Sequence, residues 1–133
     1  MPKKQAVVKL RFWHVVDEAG LTIRIDGLRV RSEANIHQHW AKKQPRKAAD
    51  RMIVTTAMHH AGPHYFTQGP LAVRFTRMGG RRLDPDNLGN GFKWIQDAVF
   101  KAIGRDDGEK EIEIKYAQEP GPSYAVQIAI DRR

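Results

Sequence analysis

Hydrophobic and polar positions alternate in four places along the chain. Residues 6–16 form a mostly apolar, β-branched run, and residues 21–26 set Leu21, Ile23 and Ile25 against Thr22, Arg24 and Asp26. Asp17-Glu18-Ala19-Gly20 separates the two, so the pattern predicts a pair of strands closed as a hairpin. Leu71, Val73 and Phe75 mark one side of a further strand over residues 71–77, which Met78-Gly79-Gly80 interrupts. Ile112, Ile114 and Tyr116, then Tyr124, Val126, Ile128 and Ile130, repeat the two-residue period on either side of Pro120-Gly121-Pro122-Ser123, which predicts a closing hairpin.

Two stretches carry a helical period instead. From Asn35 the chain turns helical and basic, and Pro45, which cannot occupy a helix interior, predicts a short turn ending near Gln44 and a main helix beginning at Pro45. Ala49, Met52, Ile53 and Thr56 are its expected inward stripe, and Gly62-Pro63 its end. Phe92, Ile95, Val99 and Ile103 predict a second helix over residues 92–103, with Gly104 as its C-cap. One α+β domain spanning residues 1–133 is expected, a mixed β-sheet packed with two α-helices.

Composition changes the picture in three ways. The chain has no cysteine, which excludes a disulfide framework, a cysteine nucleophile and a thiolate zinc site. No apolar run approaches the length of a membrane span and the N-terminus lacks a signal-peptide core, so a cytoplasmic protein without a membrane partner is expected. The formal charge of +8 favours a polyanionic partner such as nucleic acid. That charge is unevenly spread, with 14 Lys+Arg against 5 Asp+Glu over residues 1–80 and 9 against 10 over residues 81–133. A basic platform containing Lys42, Lys43, Arg46 and Lys47 thus precedes a locally acidic segment.

Within that segment stand Asp84-Pro85-Asp86-Asn87 and, about twenty residues later, Asp106-Asp107. Pro85 favours an extended residue before it, and on an extended backbone the Asp84 and Asp86 carboxylates point to one face, where they can share a cation. The intervening helix is expected to return the chain so that the second acidic pair faces the first. Clustered carboxylates and an open coordination sphere suit Mg²⁺ and phosphate chemistry. The same strings are also good turn sequences, and both readings stand at this point.

The string Arg81-Arg82-Leu83-Asp84-Pro85-Asp86-Asn87-Leu88, then Lys93-x-x-x-Asp97-Ala98-Val99, then Gly104-Arg105-Asp106-Asp107, resembles the RusA family of Holliday-junction resolvases. Ile25-x-Gly27 and Asn35 are similar to that family's first strand and the asparagine after it, and the likeness covers about residues 21–130. The resemblance implies a RusA-like fold and an endodeoxyribonuclease that nicks paired strands of four-way DNA junctions in recombination and repair. It implies a homodimer and a Mg²⁺ cofactor, for which Mn²⁺ can substitute. It assigns Asp84, Asp86 and Asp107 as catalytic metal ligands with Asp106 adjacent, and Lys93 as the basic residue near the scissile phosphate. Arg81 and Arg82, with Lys42, Lys43, Arg46 and Lys47, would hold flanking phosphates, and Asn87 and Asp97 would support the ligands. Asn87 and Lys93 stand six residues apart, as if three residues around Gly89-Asn90-Gly91 were inserted relative to the family's simplest spacing. Lys93 and Asp97 are also an i,i+4 pair that an exposed salt bridge would explain.

His59, His60 and His64 match no zinc spacing and are read as a polar helix end, and His37 and His39 as facing phosphate or solvent. Trp13, Trp40 and Trp94 are read as core or interface side chains before base-stacking ones. Two other classes remain open, a nucleic-acid-binding protein without catalysis and a metal-dependent phosphohydrolase acting on small phosphoesters.

Overall fold

A computed structural model describes residues 11–16, 20–31, 40–62, 66 and 68–133, with residues 40–47 described by backbone alone. Five strands and two helices follow in the order β1 (Arg11–Val16), β2 (Gly20–Asp26), α1 (Trp40–Ala61), β3 (Leu71–Gly80), α2 (Pro85–Ile103), β4 (Ile112–Glu119) and β5 (Gly121–Arg132). The strands form one mixed sheet in the order β1-β2-β5-β3-β4. The first hairpin is present as expected, with β1 antiparallel to β2; residues 6–10 of the expected first strand lie outside the described residues.

The expected closing hairpin is not formed. β5 inserts between β2 and β3, antiparallel to both, and β4 pairs in parallel with β3 on the far edge. A parallel pair needs a crossover, and α2 supplies it. The reason is visible in the burial. Val126, Ile128 and Ile130 of β5 are fully buried and belong in the middle of a sheet, whereas β4 buries only Ile112 completely and suits an edge.

Both helices cover the same face. Leu21, Ile23 and Ile25 of β2, Val126, Ile128 and Ile130 of β5, and Leu71, Val73 and Phe75 of β3 share a core with Phe92, Val99 and Ile103 of α2 and Met58 of α1. The opposite face carries the alternate positions, among them Arg24, Arg74, Lys115 and Gln127, and stays open. Burying a large aliphatic side chain stabilises by about 1.5–3 kcal/mol, so this one-sided core is what fixes register.

Three helix expectations change. α1 runs unbroken through Pro45, starting at Trp40. Proline's fixed φ is already helical, and its missing N–H costs the helix one bond, to the Ala41 carbonyl in the first turn. Its inward stripe is Val54, Ala57, Met58 and Ala61, with Ile53 partly buried, whereas Met52 is 71% exposed and Ala49 and Thr56 face solvent. Two stripes of similar apolarity compete on this helix, and the one whose side chains fit the sheet prevails. α2 starts at Pro85, seven residues before the position expected, with Asp84 as its N-cap and Gly104 as its left-handed C-cap at φ 70°. Asp-Pro-Asp-Asn is therefore a helix start: the aspartate caps, the proline occupies the first turn and Asp86 complements the helix dipole.

Candidate metal and nucleic-acid site

The sheet ends in a row that crosses all five strands, Arg11, Asp26, Ala125, Met78 and Glu119. Beyond it lie the segment after β2, residues 27–31, and the segment from Gly80 to Asp84 that leads into α2. Leu83 is fixed there by Gln118, whose side-chain amide accepts from the Leu83 N–H at 2.9 Å and donates to the Leu83 carbonyl at 2.7 Å. That clamp on β4 sets where α2 begins.

Asp84 and Asp86 stand together on the first turn of α2, both exposed. Asn87 donates to both oxygens of Asp84, from its backbone N–H at 2.8 Å and from its side-chain amide at 2.7 Å. Asn87 therefore orients the Asp84 carboxylate. Asp84 itself is in extended backbone, but Asp86 is helical, so the expected side-by-side placement on a strand is replaced by a cap residue and the second residue of a helix. At about 100° per residue, Asp86, Lys93 and Asp97 fall within about 20° of one stripe of α2. Lys93 and Asp97 are exposed, and among the described residues no ion pair joins them. The three-residue spacer around Gly89-Asn90-Gly91 is helical, and it matters for packing: a Cβ on Gly91 would lie 2.8 Å from the Arg31 carbonyl oxygen. Only glycine lets α2 approach the segment after β2 this closely.

Asp107 is placed differently. Its Oδ2 accepts from the Gln96 amide at 3.0 Å, and the Tyr116 hydroxyl donates to the other end of the same Gln96 side chain. Burial pushes the Tyr116 hydroxyl above its ordinary range, the Asp107 charge adds to that, and the Gln96 hydrogen bond works against it. Ten residues of helix separate Asp86 from Gln96, about 15 Å along the axis. Asp107 is thus held against the middle of α2 through Gln96, with Asp84 and Asp86 at the start of the helix. Among the described residues no group of three His, Cys, Asp or Glu side chains is placed to hold one metal ion. Asp106 closes the turn after α2, accepting from the Gly108 N–H at 2.9 Å, and with Asp97, Lys101 and Asp107 it borders a shallow open hollow.

Arg81 and Arg82 are exposed beside Asp84, whereas the side chains of Lys42, Lys43, Arg46 and Lys47 lie outside the described residues, as do Asn35, His37, His39 and His64. His59 and His60 end α1, exposed, His60 with its ring 5.3 Å from Phe12. Arg51 stacks over Trp94 at 5.2 Å, tying the helices together.

The largest feature absent from the sequence reading is a group of arginines at the same end of the sheet. Arg11, Arg24, Arg29 and Arg31 border one hollow with Asp26 and Tyr124. They come from three separate segments, and only strand register brings them together. Alternation in β2 placed Arg24 on the polar side, and nothing further in the sequence pointed to it.

Among the described residues no helix is long and apolar enough to cross a membrane. No family model matches the sequence, and no curated protein matches it.

Proposed function

We propose that this chain is a Mg²⁺-dependent DNA endonuclease that nicks paired strands of four-way junctions, acting as a homodimer. The observation that carries the reading is the placement of Asp84 and Asp86 on the first turn of α2, next to Arg81 and Arg82 and at the arginine-rich end of the sheet. Carboxylate pairs beside guanidinium groups suit a divalent ion shared with a phosphodiester, because Mg²⁺ is commonly held by one or two carboxylates, waters and substrate phosphate oxygens. The donor set fits that requirement with Asp84 and Asp86 alone.

A bound divalent ion supplies Lewis-acid charge to the phosphate oxygens. The protein's part is positioning. Asp84 and Asp86 would hold the ion, and Asn87 keeps the Asp84 carboxylate oriented through its two hydrogen bonds. Lys93, two turns along the same stripe, would offer its ammonium to the phosphate in the transition state. Arg81 and Arg82 would hold flanking phosphates and so fix the scissile bond without reading sequence. Asp107, the third ligand that the RusA resemblance assigns, would complete the set, its Oδ2 oriented by the Gln96 amide.

A second reading is favoured by one observation, that the basic end of the sheet is formed while, among the described residues, no three acidic or histidine side chains are placed to hold one ion. It is a junction- or strand-binding protein that does not cut. A labelled four-way junction and a matched linear duplex, each incubated with Mg²⁺ or with EDTA, separate the two. Paired nicks on the junction that need Mg²⁺ and vanish in Asp86→Asn are expected. Tight binding without cleavage in Mg²⁺ would leave the second reading standing.

A further inference from the structure

The arginine hollow at the end of the sheet has features that a solvated surface lacks. It is open and ≈ 730 Å³ in volume, within the range that admits a group the size of a nucleotide. Four arginines, Arg11, Arg24, Arg29 and Arg31, line it with one acid, Asp26, whose carboxylate Arg24 engages at 2.7 Å. Behind them Arg77 is 5% exposed, donating to the Val30 carbonyl at 3.0 Å and the Arg81 carbonyl at 2.7 Å. Among the described residues no carboxylate lies within ion-pair distance of Arg77. Among the described residues, then, its charge adds to that of the hollow. Arg29 lies over the Tyr124 ring at 4.8 Å, which holds its guanidinium plane in place.

Like charges gathered this way repel one another, and an anion bound among them relieves the repulsion. That every cation is arginine points to an oxyanion taken by paired N–H donors, the geometry of a phosphodiester. An aromatic surface adjoins the charges. Trp13 pairs directly with Arg24 across β1 and β2, on the open face of the sheet, and is 44% exposed. Guanidinium groups for phosphates beside an exposed indole for a base is the combination that holds an unpaired nucleic-acid strand.

We infer that Arg11, Arg24, Arg29 and Arg31, with Trp13, form a binding site for single-stranded nucleic acid, separate from the carboxylates at the start of α2. Arg31 sits against Gly91, so the site adjoins the first turns of α2. In a junction-cleaving protein this surface would receive nucleotides unpaired at the branch point; that part rests on the function proposed above, whereas the binding of a strand does not.

The test is fluorescence titration of the full chain with short oligothymidylate in EDTA over a series of salt concentrations, alongside Arg29→Gln/Arg31→Gln and Trp13→Phe. Both arginines are exposed, and thermal melts of each variant check the fold. Expected for the wild type is binding that weakens with salt and quenches tryptophan emission. The double arginine variant should lose at least about tenfold in affinity, and its salt slope should shrink by about 1 to 1.5, from about 0.7 per phosphate contact on a single strand. Trp13→Phe should keep that slope and lose most of the quenching. Unchanged affinity and slope in the arginine variant, or no binding by the wild type, would overturn the inference. Failure of the nuclease reading looks different, because it leaves these titrations intact and abolishes only Mg²⁺-dependent nicking.

Discussion

Arg77 and Arg105 are withdrawn from water to nearly the same degree, yet they do opposite things at the two ends of α2. The Arg105 side chain, 4% exposed, bonds the Phe66 and Gly69 carbonyls and pairs with Glu109 at 3.0 Å and Glu111 at 3.7 Å. Its charge is neutralised and its role is to fasten the turn after α2. Arg77 finds carbonyl oxygens, and burial together with the nearby Arg29 lowers its pKa. A buried cation matched by acids builds structure, whereas one that no acid among the described residues matches, beneath four surface arginines, maintains a positive field that an anion can use. The end of the sheet carrying Arg77 is therefore the more positive one, and Arg105 fastens the turn at the other.

Arg105→Ala should break this contrast most severely. It strands two carbonyls and two carboxylates, and about 3 kcal/mol should be lost in urea unfolding. The acid sensitivity of the fold should also change. The Arg105 hydrogen bond, then that from the Asp106 N–H, holds the Glu109 carboxyl below its ordinary range. A lowered folded-state pKa contributes stability that is complete above the ordinary value of 4.5 and disappears as pH falls through the lowered one, and Arg105→Ala should remove most of that dependence. Arg77→Met should cost less, about 1–2 kcal/mol, because the lost hydrogen bonds are offset by relief of an unmatched charge. Its nucleic-acid affinity should fall more than its stability.

Two glycines one turn into α2 sharpen the comparison at smaller scale. Gly91→Ala meets the Arg31 backbone at 2.8 Å and should destabilise by about 1 kcal/mol despite the better helix propensity of alanine. Gly89→Ala would place its Cβ 3.7 Å from the Tyr116 ring, an ordinary contact, and should stabilise by up to about 1 kcal/mol. Equal melting shifts for both would contradict the close approach of α2 to the segment after β2. The smallest effect concerns Asp107. Because its charge helps raise the Tyr116 pKa, Asp107→Asn should lower the pH at which that hydroxyl ionises, read by alkaline absorbance against Tyr116→Phe. The fold favours the neutral phenol, so this contribution is present below the ordinary value of 10.0 and is lost as pH rises through the raised one.

Strands and the existence of both helices were legible because alternation and helical spacing report directly on a one-sided core. What escaped depended on long-range choices. β4 and β5 follow one another through Pro120-Gly121-Pro122 and read as a hairpin, but the crossover by α2 sends β4 to the edge and leaves room for β5 in the middle. The start of α2 was hidden because Asp-Pro-Asp-Asn serves equally as extended chain and as helix cap, and two glycines in the first turns disguise the period. The spacing of Asp84 and Asp86 put both at one place in the chain, but the extended backbone expected to align them is absent, because Asp84 caps α2 and Asp86 is helical. The bond from Gln96 that holds Asp107 was not legible, since it depends on how the turn after α2 folds back along the helix.

The most direct test of where a divalent ion binds is a Mn²⁺ titration of the isotopically labelled protein followed by amide resonances, since the paramagnetic ion broadens signals close to it. Broadening should centre on residues 83–90, reach 106–108 if Asp107 joins the ion, and disappear in Asp86→Asn. Broadening centred on residues 104–111 alone, or none at any Mn²⁺ concentration that supports cleavage, would contradict a metal site at the start of α2.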